Sequence, residues 1–127
     1  MWYLFVARRY HDAVVRCRRT LELEPGHFYA HSLMGLAYSR LGRHAEAVEA
    51  AVQGRQLTDS PVAATMLAFV YAEAGKRDDA STLLQELIEL ARRRYVCCYN
   101  VAVVYAALGD KEQAFKWLEE AYRDRSD

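Results

Sequence analysis

The sequence predicts an all-α chain of antiparallel helical hairpins stacked one on the next. Three observations carry this reading. A short phrase recurs four times: "ARRYHDA" from Ala7, "LGRHAEA" from Leu41, "AGKRDDA" from Ala74 and "LGDKEQA" from Leu108. Single residue types keep the same register around it. Gly42, Gly75 and Gly109 follow one another at steps of 33 and 34 residues, as do Tyr38, Tyr71 and Tyr105, and Ala47, Ala80 and Ala114. Finally, each phrase lies between two runs whose apolar residues recur at helical spacing.

Taken in order, Met1–His27 reads as a partial repeat, with half of a first helix in "MWYLFVA" and a whole second helix up to "EPGH". The next repeat, Phe28–Ser60, opens with "HSLMGLAYSRL", in which Leu33, Leu36, Ala37 and Tyr38 share a face. Gly42 then suits the left-handed residue that ends a helix, where a side chain costs energy. "AVEAAVQGRQL" follows as the second helix, and so short a turn forces the two helices antiparallel. Pro61–Arg94 forms a third repeat, with Ser60 as its N-cap and Pro61 at the first helical position. Tyr95–Asp127 forms the fourth. Gly35, Ala68 and Ala102 on first helices, and Ala47, Ala80 and Ala114 on second helices, let the axes approach closely.

Composition limits the function. The 127 residues suit one domain, and 53% are hydrophobic, which excludes a disordered chain. Lys+Arg and Asp+Glu both number 17, without the basic excess of a nucleic-acid surface. No apolar run reaches bilayer length, so no membrane partner is expected. The opening is apolar and then basic, the reverse of a signal peptide. With Cys17, Cys97 and Cys98 as an odd set lacking zinc spacing, the expectation is a cytoplasmic protein with reduced thiols.

The pattern of small residue, Tyr three residues on, Gly at the turn and Ala early in the second helix resembles the tetratricopeptide repeat. The frame has departures. The usual Trp is His31, Ala64 and Cys98, and Arg8 stands where the first turn glycine belongs. Arg92 to Asp127 also resembles the last repeat of tetratricopeptide tails on bacterial multidomain signalling proteins. None of the catalytic or DNA-reading domains of those proteins is in this sequence. The resemblance implies a right-handed superhelix whose first helices line a concave groove that holds an extended peptide or a helix.

Carried onto this sequence, the groove positions are Tyr29, Ser32, Leu36, Ser39 and Arg40, then Val62, Thr65, Phe69, Ala72 and Glu73, then Val96, Tyr99, Asn100, Val103 and Ala107. Such a groove is apolar and aromatic with little charge, which suits an amphipathic helix or hydrophobic anchors. The sites matching a carboxylate clamp are Ser32, Leu36, Met66, Val96 and Asn100; the family's clamps need Lys, Arg and Asn there, so no clamp is expected. The expected partner is therefore a protein or peptide of apolar or amphipathic character. The alternative is a self-associating scaffold piece, a homo-oligomer paired through the groove or through apolar ends at Trp2, Leu4 and Phe5 and at Phe115, Leu118 and Ala121, with Trp117 and Tyr122 beside them.

Sharper chemistry finds little support. His27 and His31 are four apart, as two metal ligands can be, but no third ligand is in register. Cys97–Cys98 reads as packing, and a thiol sensor there needs a cation that depresses the pKa. The "RRR" at Arg92–Arg94 reads as a helix C-terminus complementing the dipole, and Asp78 and Asp79 as acids doing the same at a helix start. Phosphate loops, nucleophile elbows and supported carboxylate pairs are missing from the sequence, so neither catalysis nor a cofactor nor a metal is expected.

Overall fold

The computed structural model describes Leu4, residues 7–93 and residues 98–126. Among these residues it contains seven helices: α1 (Tyr10–Leu23), α2 (Phe28–Arg40), α3 (His44–Gln56), α4 (Pro61–Glu73), α5 (Arg77–Arg92), α6 (Cys98–Ala107) and α7 (Lys111–Ser126). No strand occurs among the described residues. The chain is an all-α helical-repeat solenoid. Val96, Cys97, Arg94, Trp2 and Phe5, all named above, lie outside the described residues.

The repeated phrase is a repeated hydrogen-bonded turn. Arg43 N–H donates to Tyr38 O at 2.9 Å, Lys76 N–H to Tyr71 O at 2.9 Å and Asp110 N–H to Tyr105 O at 3.0 Å. Gly42, Gly75 and Gly109 N–H donate three residues back, to Ser39, Ala72 and Ala106 O, at 3.1, 3.2 and 3.1 Å. This pair of bonds satisfies the carbonyls that a helix end otherwise leaves open, and it requires a left-handed residue between them. The three glycines supply it at φ 79°, 80° and 85°. Arg8 adopts the same conformation at φ 63°, and Arg9 N–H reaches Leu4 O at 2.8 Å. Leu4 thus stands where the later repeats have Tyr38, Tyr71 and Tyr105.

Starts are capped where sequence chemistry allows. Ser60 Oγ accepts from Val62 N–H at 3.3 Å with Pro61 in the first turn of α4, as the sequence predicts. His27 Nδ1 accepts from Ala30 N–H at 3.1 Å and caps α2. Asp78 and Asp79 sit in the first turn of α5, and Arg92 in its last.

Each helix packs on its sequence neighbour, and the first helices also pack in series, α2 on α4 and α4 on α6. The second helices α1, α3 and α5 form no such series among the described residues, so they splay while the first helices form one continuous layer. Within the α2–α3 hairpin the helices meet at glycines. A Cβ on Gly35 would lie 2.9 Å from Ala47 O and 3.1 Å from Ala51 Cβ. One on Gly54 would lie 2.3 Å from Ser32 Oγ. The core runs between the layers. Ala37, Tyr38, Ala47, Ala51, Leu67 and Val70 form one cluster. Ala68, Leu84, Leu87, Ile88, Val101 and Val104 form the next.

Candidate functional site

The layer of first helices is where the expected groove residues fall, and the structure divides them into three groups. The central group is a cluster that joins α2 to α4. Arg40 Nη1 lies 3.5 Å from Glu73 Oε2. Its guanidinium carbon stands 5.3 Å from the centre of the Phe69 ring. Ser39 Oγ, itself buried, donates to Glu73 Oε1 at 3.2 Å. The Glu73 carboxylate meets Ser39 with one oxygen and Arg40 with the other, and the ring near the guanidinium adds an attraction worth about 0.5–1 kcal/mol at an exposed site. Three of the expected positions, Arg40, Phe69 and Glu73, are thereby one unit.

The second group is half-buried and shared with the core. Tyr29 and Leu36 pack against Cys17, Ala30, Leu33 and Met66. The Phe28 and Tyr29 rings meet edge to face with centres 6.4 Å apart. Burial pushes the Tyr29 phenol up from its ordinary value, and the neighbouring Cys17 sulfur acts in the same direction. Thr65 Oγ1 is spent within its own helix, donating to Pro61 O at 2.8 Å. Asn100 and Val103 are half-buried on α6, and Tyr99 is exposed.

Ser32 stands apart. The structure places it in the hairpin interior, fully buried against Gly54 of α3, with its hydroxyl lacking a hydrogen-bond partner. The physical reason is the missing Cβ of Gly54, which lets α3 close over Ser32. Val96 is not among the described residues.

On the other side of the hairpins lies a contact that spacing did not reveal. Arg18 of α1 hydrogen-bonds the hydroxyl of Tyr38, and the guanidinium carbons of Arg18 and Arg43 stand 5.8 and 4.8 Å from the centre of that ring. Tyr38, the repeated tyrosine, thus ties the partial repeat to the next one. Twenty residues separate Arg18 from Tyr38, so neither helical periodicity nor the repeat step relates them. Between repeats two and three, Arg55 of α3 reaches Glu86 of α5 at 4.0 Å. Between three and four, Arg77 Nη2 donates to Leu108 O at 2.8 Å.

The residues with sharper chemistry take structural roles. His27 is the α2 cap, and His31 Nε2 lies 3.0 Å from Pro25 O, a carbonyl to which that nitrogen donates. No group of three or more His, Cys, Asp or Glu side chains among the described residues is placed to hold a metal ion. Burial pushes the Cys17 thiol up to about 11, away from reactivity. Cys98 is half-buried at the start of α6. None of the helices among the described residues is long and apolar enough to cross a membrane.

A repeated hairpin with one continuous layer of first helices defines a helical-repeat solenoid. Three family models, each described as Tetratricopeptide repeat, match residues 2–61, 62–95 and 95–123. The chain belongs to the tetratricopeptide repeat family. No curated protein matches the chain. Tetratricopeptide repeats generally mediate protein–protein interaction and are generally non-catalytic.

Proposed function

We propose that this chain is a non-catalytic module that holds an apolar or amphipathic segment of a partner protein against the layer formed by α2, α4 and α6. Leu36, Phe69 and Val103 give a line of apolar anchors along successive first helices, with Tyr29 and Tyr99 at its margins. Arg40, Glu73 and Asn100 serve as polar locators. The observation that carries the reading is the Arg40–Glu73–Phe69 unit, in which charge and ring are fixed before any partner arrives. Groups fixed in this way lose little freedom on binding, so more of the contact energy remains as affinity. A tail function in a bacterial signalling protein is compatible with such a module, because a tail of this kind acts by recruiting a partner.

The test uses a helical peptide selected from a random library for binding to the whole chain. Phe69→Ala removes an anchor and should weaken the selected peptide roughly tenfold or more. Arg40→Gln should weaken it less, with far-ultraviolet circular dichroism unchanged in both variants. Equal affinity for the wild type and Phe69→Ala, with both folded, rules out the anchor assignment.

A further inference from the structure

The side of the hairpins that carries the Arg18–Tyr38 contact also holds a cleft that the groove reading does not use. Helices α1 and α3 both pack on α2. Between them opens a cleft of 280 Å³, with Arg18 of α1, Met34 and Tyr38 of α2, and Glu49, Ala50 and Gln53 of α3 in its lining.

The internal repetition shows why space is left here. A step of 33 residues carries Met34 to Leu67, Tyr38 to Tyr71 and Ala50 to Leu83, and a step of 34 carries Arg18 to Val52. At that later junction Leu67 is buried, and Val52, Tyr71 and Leu83 are half-buried against the same core cluster. Apolar side chains thus occupy the later junction. At the earlier one Arg18 stands in place of Val52, and Ala50 lacks the branched end of a leucine. The cleft is therefore a feature of this junction and not of the repeat.

The charges around it divide into those already answered and those left over. Arg43 holds Glu46 through Nε and Nη2 at 2.7 and 2.5 Å, and His31 Nε2 donates to Pro25 O. Arg18 gives one N–H to the Tyr38 hydroxyl and meets no carboxylate among the described residues. Glu49 has neither a hydrogen bond nor an ion pair among the described residues. A hydroxyl that accepts from Arg18 keeps its own hydrogen, so Arg18 and Tyr38 together offer donors. From α3, the Glu49 carboxylate and the Gln53 amide oxygen offer acceptors. Met34 and Ala50 add apolar surface to the same lining.

We infer that this cleft binds a small zwitterion, an amino acid by class: a short aliphatic chain with its carboxylate at Arg18 and Tyr38 and its ammonium at Glu49 and Gln53. The volume lies just under the usual range of small-molecule sites, about 300–1,000 Å³, so one such molecule fills it. An anion alone would leave Glu49 unanswered, and a cation alone would leave Arg18 so. The inference is independent of the groove reading, since it uses the other side of the hairpins.

The test follows the amide shifts of the isotopically labelled chain during titration with the unbranched ω-amino acids from glycine to aminohexanoate. The carboxylate and the amine of matching length serve as single-charge controls. Arg18 and Glu49 are both exposed, so each charged contact is screened and its loss is read as about threefold in affinity. The expected result is saturable binding of at least one amino acid, with shifts at Arg18, Tyr38 and Glu49 rising together and both controls about threefold weaker or more. Glu49→Gln alters only an exposed side chain and should weaken the amino acid by a similar factor. Ala50→Leu fills the cleft as Leu83 fills the next junction, and should abolish saturation with helicity unchanged. No saturable shift for any amino acid, controls that bind equally well, or affinity unchanged in Glu49→Gln overturns the inference. So do shifts centred on Leu36 and Phe69, which put the ligand in the groove.

Discussion

Arg40 on α2 and Glu73 on α4 meet across the layer of first helices at 3.5 Å, with the guanidinium above the Phe69 ring. Both side chains are partly exposed, so the pair acts in a screened setting and contributes little to stability. A double-mutant cycle with Arg40→Ala and Glu73→Ala should give a coupling of about 0.5–1 kcal/mol, read from urea midpoints. Zero coupling would show that the two groups do not meet in solution.

Arg8 holds the left-handed turn conformation that Gly42, Gly75 and Gly109 hold elsewhere. A side chain in that region costs about 1–2 kcal/mol, and glycine's extra freedom in the unfolded chain offsets part of the relief. Arg8→Gly should therefore raise stability by about 1 kcal/mol, a gain of roughly 3–5 °C in Tm. Gly75→Ala should lower stability by about the same amount, because it creates the strain that Arg8 already carries. A destabilised Arg8→Gly variant in calorimetry would contradict the turn assignment.

Ser32 and Gly54 test the interior of the second hairpin. The Ser32 hydroxyl is buried without a hydrogen-bond partner. Removing it costs no bond and relieves a desolvated polar group, so Ser32→Ala should be neutral or stabilising, by up to about 1–2 kcal/mol. Gly54→Ala pushes a methyl group to within 2.3 Å of Ser32 Oγ and 3.0 Å of Phe28 O. That overpacking should cost about 1–3 kcal/mol. Chemical denaturation of both variants checks the pair, and a well-tolerated Gly54→Ala would mean that α2 and α3 lie further apart.

These two hairpin results also show what the sequence made legible. The turns could be read from residue identity, because a left-handed residue selects glycine and the repeat step places it. Close packing at Gly35 and Ala47 was legible for the same reason, since small residues recurred in register. The orientation of single side chains was less so. Successive residues of a helix point about 100° apart, and a small rotation of α2 carries Ser32 from the inner face into the hairpin. Gly54, which decides that rotation, has no counterpart glycine in the later repeats, where Leu87 and Ala121 stand. The Arg18–Tyr38 contact was invisible because it joins two packed helices of different repeats and no sequence period connects the two residues.

Stability should fall in alkali through Cys17. Burial raises its thiol from 9.0 to about 11, so the folded chain keeps the proton after the unfolded chain has lost it. The contribution is fully present below about pH 9 and is lost as pH rises through about 11. Its full size is on the order of 2–3 kcal/mol. Tyr29, also raised by burial, acts in the same sense. Urea midpoints at pH 8.5 and pH 10 should therefore differ more for the wild type than for Cys17→Ala. Identical pH slopes would mean that the thiol is not buried. Folded-state alkylation of Cys17 should likewise be slow.

The central claim is that the layer of first helices is the surface that receives a partner. The most direct measurement maps amide chemical-shift changes on the isotopically labelled chain as a library-selected peptide is added. The account predicts changes concentrated at Leu36, Arg40, Phe69, Glu73 and Val103, with α1, α3 and α5 largely silent. Changes confined to those second helices, with α2 and α4 undisturbed at saturation, would contradict it.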